Sequence, residues 1–518
     1  ERWLAFVHLY EPHFPYAPPA PFRERFAASP YQGEVAAADA ALEPLLRPIL
    51  EGRKGRVLVV LTSDHGESLG EHGEATHGLF AYEATLRVPL LVHAPGILAP
   101  RVARGPARHV DVLPTVLDAL GVPPPPGLEG RSLLPAAAGQ AEPPADESYF
   151  EALGASLDRG WAPLRGLVAG GAKYVDLPLP ELYDLRDDPR EERNLAAARP
   201  AEMERMRARL AAARAKEAPP TARVAEDRAT IDALRALGYV AGGGPPAREA
   251  YGPEDDPKRL VALDAAAAEA LRLHQRGDDA GAAAAFRELL GRRPDMPAVW
   301  LQLAAVERAR GDLGAAVAAA REALRRRPLD ATAASLLGAY LAESGRAREA
   351  VRLLEPFARG DAADPDALTS LGMAQARTGD TAAALATFGR ILERDPTNAL
   401  ALVNVGTVRL MTGDRDVARQ AFEAALDFDD LARAHNALGV IAAREGRWDE
   451  AIERWRRAAA LDPRDYQALF NLGRTLRERG RPDEARPFLE RYLRAAPPAL
   501  EAADLARVRA WLAAPPSR

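Results

Sequence analysis

The chain has 518 residues, 47% of them apolar, with a net charge of −6 and a pI of about 6.0. This is length enough for two or three domains with sizeable cores, and the lack of a basic excess speaks against nucleic acid as a partner. There is no cysteine, so disulfides and thiolate metal sites are excluded, and no apolar run reaches the length of about 20 residues that spans a bilayer.

The first zone, residues 1–215, alternates strand-like and helical stretches, which predicts an α/β domain with a doubly wound sheet. Arg2–Leu9 reads as a core strand from the first residues, so we expect further sequence upstream of Glu1. Gly33–Leu50 has helical spacing. Val57–Leu61 and Val88–Val92 are short apolar runs of the kind found in parallel strands covered on both faces. Val110–Leu120 predicts a helix closed by Gly121 and the stiff loop Pro123–Pro126. Lys173–Leu177 and Glu181–Leu185 predict a small hairpin, and Ala201–Lys216 a charged helix. Residues 216–257 read as a linker with Pro219-Pro220, a short helix around Ile231–Leu237, and a Gly242–Pro246 run.

Residues 258–498 form an array. Gly277, Gly311, Gly345, Gly379, Gly413, Gly446 and Gly480 recur every 34 residues with one interval of 33. An alanine stands five residues after each glycine, and an alanine or glycine seven residues before it (Ala270, Ala304, Gly338, Gly372, Gly406, Gly439, Gly473). The first glycine of each unit can adopt the left-handed conformation that ends a helix. Asp278, Asp312, Asp380 and Asp414 follow it and can cap the next helix. The small residues let two helices approach closely. Prolines close five of the seven units. The array resembles the tetratricopeptide repeat, an all-α superhelix. Residues 499–518 hold an amphipathic capping helix and a tail. Such an array implies a protein or peptide partner on its concave face. Trp300, Trp448 and Trp455 read as packing residues, and the runs Arg292-Arg293 and Arg325–Arg327 as solvated helix ends.

Chemistry concentrates in the first zone, where five of the nine histidines (His8, His13, His65, His72, His77) lie within 77 residues. Imidazole can ligate metal, donate a proton and pair with anions. Asp64-His65 leaves the apolar run Val57–Leu61, at the carboxyl end of a strand, where open α/β sheets bind ligands. One oxygen and one nitrogen donor side by side can hold a divalent metal.

The zone is similar to the sulfatase family of the alkaline-phosphatase-like superfamily. The motifs are Pro12-His13-Phe14-Pro15, Ser63-Asp64-His65-Gly66-Glu67, Gly70–Gly73, Tyr82-Glu83 through Arg87-Val88-Pro89, Val110–Thr115, Gly130–Leu134 and Glu181–Leu185 through Asn194-Leu195. The resemblance implies a sulfatase-like domain that is incomplete at its N-terminus. It implies that Asp64 and His65 are metal ligands, for Ca2+ first and Mn2+ as the alternative, since imidazole is softer than carboxylate. It implies that His13 contacts the sulfate and protonates the leaving alkoxide. His77 stands where many members have a sulfate-binding lysine, and a protonated imidazole could supply that charge.

Two family elements are absent from the sequence: the Cys/Ser-x-Pro-x-Arg motif that yields the formylglycine nucleophile, and an acidic pair of further metal ligands. In the family both precede the Pro-His loop. The expected function is therefore a sulfatase, inactive as this polypeptide alone, with a sulfate ester as substrate. A phosphodiesterase or phosphonate monoester hydrolase of the same superfamily, and a non-catalytic repeat scaffold carrying a vestigial hydrolase, are the alternatives. Cell-envelope or periplasmic export is common among such enzymes. The codon-driven excess of arginine over lysine suggests a GC-rich bacterial source. His8, His72, His93 and His109 read as structural or surface groups, Arg87 as half of an ion pair, Glu34 and Asp111 as packing or capping residues, and Glu181–Leu185 as a structural motif.

Overall fold

The computed structural model describes residues 3–52, 57–103, 105–140, 147–215, 250–360, 363–496 and 501–513. The expected linker helix at Ile231–Leu237 lies outside them.

In the first zone, helix α1 (Pro30–Gly52) is followed by strands β1 (Val59–Thr62) and β2 (Leu90–His93), with helix α2 (Val112–Ala119) against them. Two expectations are corrected here. The apolar runs pair with each other as an antiparallel ribbon, Val59 opposite His93 and Thr62 opposite Leu90, and not as parallel neighbours. An apolar run specifies a strand but carries no information about direction, and the long loop 63–89 brings the chain back alongside itself. Trp3–Leu9 joins no ladder among the described residues, and Leu4 and Phe6 are 85% and 88% exposed, so the expected core strand is not formed there.

A second sheet, absent from the sequence reading except for its last hairpin, runs β3 (Ser148–Ala152), β4 (Leu164–Ala169), β5 (Ala172–Asp176), β6 (Glu181–Asp184), each antiparallel to the next. Its strands alternate faces with a period of two. Leu167, Tyr174 and Leu182 pack under Met206 and Leu210 of helix α3 (Pro200–Arg214). Leu164, Val175 and Tyr183 face the other way and join a cluster that continues into the helical array.

The array opens with helix α4 (Pro257–Gln275) and its partner Asp279–Arg292, and six further antiparallel hairpins follow at the expected spacing. The glycines ending the first helices have φ between +75° and +89°, a region that costs glycine nothing. Asp278, Asp312 and Asp380 cap the next helix by accepting from the N–H three residues on. Asp414 does not, because its carboxylate leans 3.8 Å from Arg409 instead. The helix-internal glycines admit the facing helix. A Cβ on Gly372 would lie 2.6 Å from the Phe388 ring, and one on Gly406 2.8 Å from Phe422. Helix Ala502–Ala513 covers the last hairpin with Leu505 and Val508. Trp455 is buried between helices as expected, and Trp300 lies beneath the Arg326 guanidinium. No helix among the described residues is long and apolar enough to cross a membrane.

The arginine runs are not simply solvated ends. Arg293 bonds the Glu254 carbonyl at 2.7 Å and pairs with Asp255, and buried Arg327 donates to the Leu157 carbonyl. Arg327 ties the array to the preceding domain, and Arg293 ties the first repeat to the residues just before α4. Helix-end position alone could not reveal a partner far away in sequence.

Replacing Gly372 by valine forces two side chains into one volume, so urea unfolding of Gly372→Val is expected to show a loss of about 1–3 kcal/mol. An unchanged midpoint would mean the fourth hairpin is looser than its geometry indicates.

Candidate active site

The loop carrying His13 is held from below. The buried Glu34 carboxylate, in the first turns of α1, accepts from the His13 N–H at 3.1 Å and the Ala17 N–H at 2.6 Å. His13 Nδ1 lies 2.6 Å from the Phe14 carbonyl and 2.8 Å from the Tyr10 hydroxyl. A carbonyl only accepts, so Nδ1 carries the proton and Nε2 keeps its lone pair in the neutral ring.

Asp64 and His65 leave β1 into a sharp turn. Gly66 is required there, because its N–H donates to the Thr85 carbonyl at 2.7 Å and a Cβ would lie 2.3 Å from the Ala84 oxygen. His65 Nδ1 donates to the Gly66 carbonyl at 2.9 Å, leaving Nε2 free, 3.7 Å from Asp64 Oδ2. The Asp64 side chain is 72% exposed and bonds the His65 N–H through Oδ1 at 3.0 Å.

His77 enters from the end of the loop. Its Nδ1 lies 3.0 Å from Glu67 Oε1, a carboxylate only 4% exposed. The hydrogen bond from the ring to Glu67 raises the His77 pKa above its ordinary value, against the opposing effect of burial. Burial and the Glu67 charge likewise hold the Tyr16 hydroxyl protonated. The rings meet: His65 and His77 centroids are 4.2 Å apart, His13 and His77 5.3 Å. His13, Asp64, His65 and His77 are thus brought together, each imidazole fixed through Nδ1.

Among the described residues no three His, Asp or Glu side chains converge into a metal cage. Asp64 and His65 alone offer two free donors of the right chemistry, with the imidazole oriented by a carbonyl on its other nitrogen, as metal-bound histidines usually are. They fit as half of a coordination shell.

Other residues behave as structural groups. His72 stacks on Tyr82 with centroids 3.6 Å apart, and His109 Nε2 lies 2.8 Å from the Ser63 carbonyl. Asp111 is bound by Arg108 and the Arg131 N–H, and Glu181 accepts from Tyr82. Arg87 is exposed and has no ion pair among the described residues, contrary to expectation. Sequence reasoning missed Glu67 and gave Glu34 only a packing or capping role. The signal for Glu67 was its place directly after the tight Gly66 turn, where its side chain points inward.

The sulfatase family profile matches residues 1–122, the C-terminal profile of N-sulphoglucosamine sulphohydrolase residues 70–216, and tetratricopeptide profiles segments between residues 267 and 499. Residues 1–216 are a sulfatase-family domain, and residues 267–499 are a tetratricopeptide array. Arylsulfatase K of Bos taurus is 34% identical over 32% of this chain and 33% of its own length. N-acetylglucosamine-6-O-sulfatase of Bacteroides thetaiotaomicron is 32% identical over 32% of this chain and 31% of its own. A solved structure of a protein with its substrate D-glucosamine-2-N,6-O-disulfate aligns over 36% of this chain and 40% of that one, 26% identical, TM-score 0.31. The chain therefore spans about a third of the length of these curated relatives.

His77 in the sulfatase-family domain is expected to titrate above about 6.5 by NMR, and Glu67→Gln to lower that midpoint. Because the folded pKa lies above the unfolded one, the pair stabilises fully below about pH 6.5 and the benefit is lost as pH rises through the folded pKa. An equal midpoint in the variant would contradict the assigned hydrogen bond.

Proposed function

We propose that this chain carries part of the active site of a sulfuric ester hydrolase. The convergence of His13, Asp64, His65 and His77 on one point supports the reading, together with the sulfatase-family kinship of the domain. Asp64 and His65 would hold a divalent metal, Ca2+ first and Mn2+ as the alternative, through Oδ2 and Nε2. When bound, the metal supplies positive charge against the sulfuryl oxygens and helps orient the nucleophile. His77, whose cation the hydrogen bond to Glu67 favours, would donate from Nε2 to a sulfate oxygen. In its doubly protonated form, with Nδ1–H still held by the Phe14 carbonyl, His13 would deliver the Nε2 proton to the departing alkoxide, a poor leaving group that needs a general acid, and would be left as the neutral ring.

The nucleophile, a formylglycine, and further carboxylate ligands come from outside these 518 residues. The sequence has no cysteine and no Ser-x-Pro-x-Arg, so this polypeptide alone turns over no sulfate ester. The repeats recruit a protein or peptide partner, as tetratricopeptide arrays do.

The test uses the chain joined to its nucleophile-bearing segment. Asp64→Ala is expected to lower kcat/KM for an aryl sulfate at least about 100-fold. His13→Ala should slow alkyl sulfates more than nitrophenyl sulfate, by about 100-fold or more, since only the poorer leaving group needs the proton. Preference for an aryl phosphodiester over the aryl sulfate would move the reading to a phosphodiesterase or phosphonate monoester hydrolase. No turnover of either would leave the vestigial-scaffold reading.

A further inference from the structure

The His77 loop is caught between the two halves of the chain. Between β1 and β2 its only regular pieces are one short turn, Glu71–Gly73, and one helical turn, Glu83–Leu86. Its order must therefore come largely from what it packs against. Directly after His77, Leu79, Phe80, Ala81 and Tyr82 are 2–5% exposed and share one apolar cluster with Leu260 and Leu263 of α4. Val261 abuts the other limb of the loop, where a Cβ on Gly73 would meet its Cγ1 at 3.4 Å. Within the loop, buried Glu74 accepts from the Leu79 N–H at 2.6 Å, which closes the turn that presents His77.

Polar contacts fix α4 in the same place. Its N-cap Asp256 is fully buried, accepts from the Lys258 N–H at 3.0 Å, and reaches back to the Leu179 N–H at 2.9 Å. Lys258 Nζ donates to the Leu179 carbonyl at 2.6 Å and lies 3.6 Å from Glu181, the carboxylate that holds the Tyr82 hydroxyl. Arg159 pairs with Asp264 one turn further along, at 2.7 Å. One helix thus abuts the Gly73 limb of the loop, shares an apolar cluster with the limb after His77, and bonds the turn that leads into β6.

We infer that the first helix of the array is a positioning element of the hydrolytic site, with Leu260, Val261 and Leu263 setting where His77 stands. The array is built into the site, and a partner that shifts α4 shifts His77. The catalytic consequence rests on the proposed role of His77, but the positioning is read without turnover.

The test uses the 518-residue chain labelled with 15N-histidine. Three variants are compared: Leu260→Ala/Leu263→Ala, Val261→Ala, and Leu438→Ala, the last removing a buried leucine from the distant sixth hairpin. In the double variant amide exchange across residues 66–82 is expected to rise at least tenfold, and the ring signals of His77 to lose the signature of the Glu67 bond. Val261→Ala should do the same in smaller measure, and it decides the matter if the double variant does not fold. Leu438→Ala should leave both readouts at wild-type values. Unchanged exchange and ring signals in the α4 variants overturn the inference, as does an equal response to Leu438→Ala. A failed sulfatase assay with the coupling intact would remove only the functional reading.

Discussion

Leu79, Phe80 and Tyr82 share one buried apolar cluster with Leu260 and Leu263, and this cluster joins the two halves of the chain. Each buried leucine contributes about 1.5–3 kcal/mol, and here the gain is realised only when both halves of the polypeptide are in place. The charged groups around this cluster are held in ion pairs. Lys173, fully buried, lies 2.6 Å from Glu191 and 3.5 Å from Glu83, and Arg293 closes on Asp255. Such buried pairs contribute little net stability, but breaking one costs about 3–5 kcal/mol. Lys173 registers the sheet against the segment that carries Glu83, and Arg293 registers the first repeat against the residues that lead into it.

From that frame the chemistry follows by a repeated local construction. His13, His65 and His77 each give Nδ1 to an oxygen supplied from nearby: the Phe14 carbonyl, the Gly66 carbonyl and the Glu67 carboxylate. Each therefore presents Nε2 to the outside. The difference between a carbonyl and a carboxylate partner separates their tasks. A neutral oxygen leaves His65 able to ligate through a lone pair. The buried negative charge beside His77 favours its cation. His77 is thereby made unlike His13 and His65 by its second contact.

Much of this was legible in the sequence, and the gaps have physical causes. The repeats were readable to the residue because each unit demands a left-handed turn at one glycine and a small residue at the helix crossing, and Gly372 against Phe388 shows why. That Asp64, His65, His13 and His77 lie together was recoverable from motif order. The direction of the β1–β2 pairing was not, since Val57–Leu61 and Val88–Val92 would look the same either way round. Strands β3 and β4 were missed because Ser148–Ala152 and Leu164–Ala169 are short and mix charged residues with apolar ones. The docking of Arg293 and Arg327 could not be read, because their partners Asp255 and Leu157 are distant in sequence and nothing in a helix-end arginine marks it for burial.

The account stands or falls on the pair that leaves β1. Crystals of the chain soaked in Mn2+ and measured at the manganese absorption edge would test it most directly. The account predicts an anomalous peak within bonding distance of Asp64 Oδ2 and His65 Nε2, lost in Asp64→Ala. Featureless density between the two side chains at saturating metal, with Nε2 of His65 bonded elsewhere, would contradict it.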